Sequence, residues 1–252
     1  MYKIHLVTYA THSEGLFNNL INNKFNKKID IVGWNTKFVN YIDKIYHLLN
    51  YINNLNDNDI IIYLDGFDTL IHKNFNNQEL FKLFKSYDTK ILISKDSLNS
   101  LFINNHYINK NLYTFCYGKF DNDNMPNTGM IMGYVENLKI LFNCMISQNI
   151  KDDQLSLSKC FDNNIKVDID NKLFLNTKYN DYMNNKNNIN SIFISFPLGF
   201  TNTDYDNKRI KRFIFIDYLK YLFIFIFIIL SILILFNKKF FQKIYKRYCL
   251  RF

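Results

Sequence analysis

The sequence lacks the short-range cysteine patterns that mark zinc sites and dithiol redox centres. Its four cysteines are Cys116, Cys144, Cys160 and Cys249. No two of them have the spacing of a zinc-binding or redox motif. We therefore expect small buried apolar side chains at most of these positions. Cys249 differs, because it lies in a basic segment where reversible acylation is an open alternative.

Proline and tryptophan are scarce, and no internal repeat or heptad pattern occurs. The chain has two prolines and one tryptophan in 252 residues, whereas asparagine, isoleucine, lysine, tyrosine and phenylalanine are abundant. This bias is typical of an AT-rich genome and says little about chemistry. The lack of a repeat argues against a solenoid or a coiled coil. The length fits one α/β domain of ordinary size with an appendage.

Positive charge exceeds negative charge, but much of the excess lies near the C-terminus. The formal net charge of +9 indicates an anionic partner. The basic residues concentrated there are Lys208, Arg209, Lys211, Arg212, Lys238, Lys239, Lys243, Lys246, Arg247 and Arg251. They flank an apolar run and suit anionic lipid headgroups. Because no basic stripe with interleaved aromatic residues occurs elsewhere, we expect no nucleic-acid partner.

The apolar run near the C-terminus predicts a membrane-spanning helix. Every residue from Tyr221 to Phe236 is apolar except Ser231. Together with residues 213–219, the run reaches the roughly 20 residues needed to cross a bilayer. The flanking charges favour this interpretation over a buried core helix. We therefore expect a polar and basic linker at 200–212, one transmembrane helix at 213–236 and a basic tail at 237–252, with the lipid bilayer as a partner.

Residues 1–199 alternate between strand-like and helix-like patterns. Strands are predicted at residues 3–9, 29–33, 59–64, 90–94, 128–134, 165–167 and 192–196. Helices are predicted at residues 14–25, 41–55, 78–86, 135–147 and 153–161. This order predicts an α/β fold with a mostly parallel, doubly wound sheet flanked by helices, which binds ligands at the carboxyl ends of its strands. Residues 60–64 are apolar on both faces, so this strand is expected in the middle of the sheet.

Two carboxylates follow the central predicted strand directly. Asp65 and Asp68 are three residues apart, with Gly66 between them to allow a tight bend. Carboxylates crowded at a strand end repel one another unless a positive charge lies between them. A divalent cation with further ligands from water and a substrate phosphate would supply that charge. The alternative is a turn with two solvated aspartates.

Two further segments place polar or acidic residues at the start of a predicted element. Asn127 and Thr128 begin a strand in which Gly129 would let a ligand approach the backbone. The alternative there is an edge strand with glycine bulges. Asp152 and Asp153 begin a helix, where Asp152 is a good N-cap. Helix capping explains one of these two carboxylates. The functional interpretation is that Asp152 and Asp153 act as a pair that binds sugar hydroxyls or assists proton transfer.

The order and spacing of these segments resemble a known family. Over residues 3–200 the chain resembles the glycosyltransferase domain of the multifunctional lysyl hydroxylases and, more loosely, the procollagen galactosyltransferases. The matching segments are Leu6-Val7-Thr8-Tyr9-Ala10-Thr11 with Glu14-Gly15, Lys44, Ile61-Ile62-Tyr63-Leu64-Asp65-Gly66-Phe67-Asp68, Ser94-Lys95-Asp96-Ser97, Asn127-Thr128-Gly129 with Gly133, and Asp152-Asp153-Gln154-Leu155. Each of these motifs is common by itself, but their occurrence together in one order is much more specific to the family.

The resemblance implies a GT-A fold, a UDP-sugar donor and Mn²⁺ or a similar divalent cation. The implied reaction moves a hexose from the UDP-sugar to a hydroxyl acceptor. Hydroxylysine or galactosyl-hydroxylysine of a collagen-like protein is suggested as the acceptor by the family alone. The implied site residues are Asp65 and Asp68 for the metal, Thr8, Tyr9, Lys44, Asp65 and Gly66 for the donor, and Asn127, Asp152 and Asp153 for transfer. Within the donor set, Thr8 and Tyr9 would lie against the uridine and Lys44 would reach the phosphates.

The chain departs from the family at a late metal ligand. The family has a histidine inside a His-Gly-Asn-Gly segment, where this chain reads Ile194-Ser195-Phe196-Pro197-Leu198-Gly199. The acidic cluster is also shorter. The alternatives are therefore a catalytically inactive GT-A domain kept as a membrane-anchored binding or scaffold protein, and a tail-anchored structural protein. Composition and architecture together suit a giant DNA virus.

The start of the sequence bears on the expected topology. Met1-Tyr2-Lys3 leads directly into an apolar strand pattern and not into a cleavable leader. A C-terminal anchor inserted after translation leaves the preceding domain in the cytosol. We therefore expect a single-pass C-terminal membrane anchor with a cytosolic catalytic domain. The lumen of the secretory pathway, where the family works, is the alternative.

Overall fold

A computed structural model describes residues 2–96, 125–197 and 222–232. The chain divides into two compact units, Met1–Phe200 and Thr201–Phe252. In the second unit residues 222–232 form a helix with exposed apolar side chains. Within the three described ranges, no helix has the length and apolar character that crossing a membrane requires. The rest of the predicted 213–236 segment, the linker at 200–212 and the tail at 237–252 lie outside the described residues.

The first unit alternates strands and helices. Its elements are β1 Ile4–Tyr9, α1 Phe17–Ile21, β2 Asp30–Val32, α2 Asp43–Ile52, β3 Ile60–Asp65, β4 Thr69–Ile71, α3 Asn77–Lys85, β5 Ile91–Lys95, β6 Pro126–Tyr134, α4 Val135–Ser147, α5 Asp153–Cys160, β7 Ile165–Asp168, β8 Phe174–Asn176, α6 Tyr179–Asn185 and β9 Phe193–Ser195. A 3₁₀ turn at Lys186–Asn188 follows α6. The predicted α/β class is confirmed.

Six strands form the main sheet in the order β2-β1-β3-β6-β5-β7. Five of them run in one direction, and β6 runs antiparallel to both of its neighbours, β3 and β5. The expectation of a mostly parallel sheet is therefore confirmed, with β6 as the exception. Reversal of β6 places its first residues beside the last residues of β3 and β5. Asn127 is thus brought to the edge of the sheet where Asp65 lies.

The continuous apolar character of β3 follows from its central position. Ile61 and Tyr63 pack into a hydrophobic cluster with α2 and α4. Ile60, Ile62 and Leu64 pack into a second cluster with α3 and with the strands that follow. Successive side chains of a strand point to opposite faces, so a strand covered on both sides needs an apolar residue at every position. Burial of each such side chain stabilises the fold by about 1.5–3 kcal/mol.

A second sheet of three short strands was not predicted as a sheet. Its order is β4-β9-β8, with β9 antiparallel to β4 and parallel to β8. Only β9 was predicted, because three-residue strands such as β4 and β8 are too short to show a periodic pattern. This small sheet aligns Ser195 with Thr69 on one side and with Asn176 on the other.

The first helix is much shorter than its apolar pattern predicts. The pattern indicated residues 14–25, but α1 comprises only Phe17–Ile21. Gly15 has a φ of 59°, in the left-handed region, so a right-handed helix cannot run through it. After the helix, Asn23 donates to the carbonyls of Leu20 and Lys27 and folds the chain into a loop. Local asparagine hydrogen bonds therefore override the apolar spacing.

A disulfide bond joins Cys144 and Cys160, with their Cα atoms 5.9 Å apart. It connects the last turn of α4 to the last residue of α5. The expectation of isolated apolar thiols is wrong for this pair. No spacing motif marked the bond, because it arises from the packing of α4 against α5. Cys116 and Cys249 lie outside the described residues.

We expect the double variant Cys144→Ser/Cys160→Ser to be less stable than the wild type by about 3 kcal/mol, because the bond closes a loop of 16 residues in the unfolded chain. Urea unfolding followed by the fluorescence of Trp34 measures the difference. Ser158→Ala, on the same helix α5, is the matched control and should change little. Equal unfolding midpoints for the double variant and the wild type would show that the bond contributes no stability.

Candidate active site

The carboxyl ends of the parallel strands converge on one edge of the main sheet. Tyr9 at the end of β1 pairs with Asp65 at the end of β3. The antiparallel β6 begins at the same edge, where Asn127 pairs with Ser94 of β5. In sheets of this kind, ligands bind outside the carboxyl ends of the strands. The segments that contain Asp65 and Asn127 are therefore brought together here.

Two glycines allow the close approach of these strand ends. A Cβ atom on Gly66 would lie 2.7 Å from the Tyr9 carbonyl oxygen and 3.1 Å from Thr8 Oγ1. A Cβ atom on Gly129 would lie 2.8 Å from Asn127 Oδ1 and 3.0 Å from Asp65 Oδ2. A side chain at either position would collide with these atoms, so both positions require glycine. Gly66 thus serves the backbone geometry of the site.

Lys44 of α2 lies at the centre of the acidic residues. Its Nζ is 2.6 Å from Asp153 Oδ2 and 3.4 Å from Asp65 Oδ1. It also donates to Thr128 Oγ1 at 3.4 Å. Burial by itself would lower the pKa of Lys44, but the carboxylates of Asp153 and Asp65 outweigh burial and raise it. The ammonium group is therefore charged and shared between carboxylates, and its contact with a donor phosphate stays a prediction.

The start of α5 is locked onto the start of β6. The Thr128 hydroxyl donates to Asp153, and the Thr128 amide donates to Gln154 Oε1 at 2.8 Å. Gln154 Nε2 donates to the Pro126 carbonyl at 2.7 Å and to Asp96 Oδ2 at 3.2 Å. Thr128 and Gln154 lie within the sequence motifs, but the motifs predict no role for them. The sequence feature that indicates them is their position next to Asn127 and Asp153.

The two aspartates of α5 have different tasks. Asp152 is the N-cap, and its side chain accepts a hydrogen bond from the Leu155 amide at 2.8 Å. Burial raises the pKa of Asp152, and the Leu155 amide opposes that effect. Asp153, in contrast, is buried against Lys44 and Thr128. Capping therefore accounts for Asp152, while Asp153 belongs to the charged network.

Asp68 is held by the small second sheet. Its Oδ1 accepts hydrogen bonds from Ser195 Oγ at 3.1 Å and from Thr69 Oγ1 at 3.2 Å. Its carbonyl accepts from the Phe196 amide at 2.9 Å. Burial, and after it the nearby charge of Asp65, raises the pKa of Asp68 to about 7. Ser195 comes from the stretch where the family has its histidine, so this chain places a hydroxyl beside the aspartate.

The donor set suits a hard divalent cation. Two carboxylates, from Asp65 and Asp153, contact the ammonium group of Lys44, and Asp68 lies near enough to Asp65 to feel its charge. Burial, and after it the charge of Asp65, raises the pKa of Asp68, and a cation between Asp65 and Asp68 would favour the charged form of both. Among residues 2–96, 125–197 and 222–232, no cluster of three His, Cys, Asp or Glu side chains is arranged to hold a metal. A cation here would therefore need oxygens from water and substrate as well.

The last residues of β1, Thr8 and Tyr9, contribute buried, uncharged side chains to the site. Thr8 is fully buried, and its hydroxyl donates to the Leu64 carbonyl at 2.7 Å. The ring of Tyr9 packs on Gly33, where a Cβ atom would lie 2.4 Å from the ring and φ is 78°. Its other neighbour is the His47 ring, 5.5 Å away between centroids. Burial raises the pKa of Tyr9, so its hydroxyl is neutral.

Comparison with known proteins finds one matching family model and solved structures of low sequence identity. A family model described as the PLOD GT domain matches residues 1–208. The galactosyltransferase LgtC, in complex with donor and acceptor sugar analogues, is 13% identical over 77% of this chain and 88% of its own, with a TM-score of 0.48. The 2-C-methyl-D-erythritol 4-phosphate cytidylyltransferase of Francisella tularensis is 13% identical over 66% and 89%, with a TM-score of 0.37. No curated protein sequence matches significantly.

We expect the stability of the cation-free protein to fall, relative to Asp68→Asn, as the pH rises from about 4 to about 7. Folded Asp68 has a pKa of about 7, whereas an unfolded aspartate has a pKa of about 4. The stability that the proton of Asp68 provides is therefore full below about pH 4 and is lost once the pH has risen through about 7. Thermal unfolding with a chelator present measures the difference. Asp181→Asn, on an exposed part of α6, is the control. Parallel curves for Asp68→Asn and the wild type would contradict the assignment.

Proposed function

The chain belongs to the PLOD GT domain family, and we propose that it transfers a hexose from a UDP-sugar to a hydroxyl acceptor. The glycosyltransferase class follows from the family. The observation that supports this reaction is the charged network around Lys44. Asp65 and Asp153 both contact its ammonium group, although they lie on separate elements. A diphosphate site and a sugar site would then lie side by side at one edge of a GT-A type sheet.

Asp65 and Asp68 are the residues that would hold Mn²⁺ or a similar cation. When bound, the cation supplies positive charge that stabilises the departing diphosphate. Thr69 and Ser195 hold one oxygen of Asp68 and fix the orientation of the carboxylate. Lys44 limits the repulsion between Asp65 and Asp153 before any ligand arrives. With a cation bound, these residues would therefore hold positive charge where negative charge develops on the leaving group.

The start of α5 is the part that we assign to the sugar and the acceptor. Asp153 and Asp152 are the candidates to bind sugar hydroxyls and to take the proton of the acceptor hydroxyl. Asn127, at the start of β6, has its Oδ1 bound to the Gly129 amide at 2.8 Å, which fixes the side chain beside Asp65. We propose hydroxylysine or galactosyl-hydroxylysine of a collagen-like protein as the acceptor, on the basis of the family alone.

An inactive binding or scaffold domain is the second candidate function. Ser195 stands in the stretch where the family has a metal-binding histidine, and Ser195 itself donates to Asp68. Among residues 2–96, 125–197 and 222–232, the ligands that we assign to the cation, Asp65 and Asp68, are both oxygen donors. Loss of one nitrogen ligand weakens a metal site, and weak metal binding would leave nucleotide binding without turnover. The two candidates differ in turnover and not in nucleotide binding, whereas a purely structural protein would bind no UDP.

We propose a lipid bilayer as a further partner, through the apolar run at 213–236. The side of the membrane on which the catalytic domain lies is a separate question. The Cys144–Cys160 disulfide favours an oxidising compartment, since cytosolic thiols are kept reduced. The disulfide indicates the compartment more directly than the strand-like pattern at residues 3–9 does. We therefore propose that the catalytic domain lies on the lumenal side of the membrane. Protease treatment of intact microsomes should leave the unit Met1–Phe200 protected, whereas its digestion would support the cytosolic topology.

Asp68→Ala should weaken Mn²⁺-dependent UDP binding by roughly 10- to 100-fold, because Asp68 is assigned to the cation. Asp153→Asn keeps an oxygen that can accept from Lys44 and from Thr128, so the site should stay assembled. This variant should leave UDP affinity within about threefold and lower turnover by roughly 100-fold. Calorimetry and UDP-release kinetics across UDP-glucose, UDP-galactose and UDP-N-acetylglucosamine measure the two effects. Equal losses of nucleotide affinity in both variants would show that the two roles are wrongly divided.

Ser195→His should raise Mn²⁺ affinity and turnover by about tenfold relative to Ser195→Ala, because it returns an imidazole ligand to the stretch beside Asp68. Ser195→Ala separates the effect of the added ring from the loss of the hydrogen bond to Asp68. Turnover that is absent in the wild type and appears in Ser195→His would support the inactive-domain alternative. Unchanged Mn²⁺ affinity in both variants would mean that Ser195 lies outside the cation site.

A further inference from the structure

Two buried side-chain atoms have no hydrogen-bond partner in the described part of the chain. They are the hydroxyl oxygen of Tyr9 and Oδ1 of Asn176. Both residues are the last of their strand, β1 and β8, and both are at least nine-tenths buried, with exposures of 8% and 7%. Buried polar atoms without a partner are rare in native proteins and call for an explanation. Tyr9 is one of the buried side chains at the end of β1, whereas Asn176 belongs to none of the groups assigned above.

The orientation of the Asn176 amide is determined by its neighbours. Nδ2 donates to the Lys95 carbonyl at 2.6 Å and to Ser94 Oγ at 3.2 Å. A carbonyl only accepts, so the amide nitrogen, and not the oxygen, must face Lys95. The Ser94 hydroxyl donates its hydrogen to the Asn127 carbonyl at 2.9 Å and has none left for Asn176. Oδ1 of Asn176 is therefore a buried acceptor of fixed orientation, without a hydrogen-bond partner among the described residues.

Neighbouring contacts place Asn176 at the candidate active site. On β9 its register partner is Ser195, which donates to Asp68. Through Ser94 it is joined to Asn127 at the start of β6. The residue thus bridges the small sheet, which holds Asp68, and the main sheet, which presents Asn127. The unpartnered Oδ1 therefore belongs to a residue one side chain away from Asp68 and from Asn127, which we assign to the site.

We propose that Asn176 Oδ1 accepts a hydrogen bond from a sugar hydroxyl and so contributes to the recognition of a sugar substrate. This inference rests on the proposed function. An amide oxygen attracts O–H groups and repels phosphate oxygens, so it suits the sugar and not the diphosphate. A site that is built to bind one hydroxyl discriminates strongly against a sugar that lacks it, because the buried acceptor is then left unpaired. The hydroxyl belongs either to the transferred hexose or to a sugar of the acceptor.

The test compares Asn176→Ala with Ser191→Ala in the full chain. Ser191 is also buried and loses a hydrogen bond to the Asn171 carbonyl, but it precedes β9 at the opposite end from Ser195. Calorimetry with Mn²⁺ measures binding of UDP, UDP-glucose and UDP-galactose. Asn176→Ala should leave UDP affinity unchanged and weaken the preferred UDP-hexose by about 3- to 10-fold. A deoxy analogue that lacks the recognised hydroxyl should bind the variant and the wild type alike, and Ser191→Ala should bind every ligand as the wild type does.

The arms of the experiment separate the two sources of the hydroxyl. Weaker UDP-hexose binding without acceptor assigns it to the transferred sugar. Unchanged donor binding with a raised acceptor KM and an unchanged kcat assigns it to the acceptor, and both results support the proposal. Unchanged donor binding and unchanged acceptor KM would overturn it. If Asn176→Ala unfolds, Asn176→Leu, which fills the same volume without polar atoms, gives the same comparison. Failure of the wild type to bind UDP would instead refute the proposed function.

Discussion

The ion pair between Lys44 and Asp153 is the contact on which the rest of the site depends. Its atoms are 2.6 Å apart, and both side chains are almost fully buried. Charges of this kind are unfavourable in a protein interior unless they are paired and hydrogen-bonded. Here Asp65 and Thr128 supply the additional contacts to Lys44. The pair therefore joins α2, β3, β6 and α5 at the sheet edge where ligands bind.

The ion pair also leaves the site with unbalanced charge. In the described part of the site, Lys44 contacts Asp65 and Asp153 but not Asp68, and burial together with the charge of Asp65 raises the pKa of Asp68. A cation between Asp65 and Asp68 would favour the charged form of Asp68, whose carboxylate Thr69 and Ser195 already orient. The position of this aspartate beside Asp65 is therefore accounted for if a cation and a diphosphate bind here.

Local features of the sequence predicted those parts of the site that lie within one segment. Asp65 and Asp68 follow an apolar strand directly, and Asp152 precedes an apolar helix, so both positions could be assigned from the pattern. The Lys44–Asp153 pair joins residues far apart in the chain, and only the family resemblance drew attention to Lys44. The shortening of the first helix at Gly15, the strands β4 and β8, and the Cys144–Cys160 bond had no periodic signal. Each depends on tertiary contacts that a single sequence does not display.

The central claim is that nucleotide binding at this edge requires a divalent cation. Calorimetric titration of the full chain with UDP, first with Mn²⁺ and then with excess chelator, tests it most directly. Asp65 and Asp68 repel a diphosphate when no cation is present, and Lys44 is already neutralised by its carboxylates. The account predicts that the chelator weakens UDP binding by at least roughly 100-fold. Equal affinity with and without Mn²⁺ would contradict the account and would assign the recognition of UDP to Lys44 and the backbone alone.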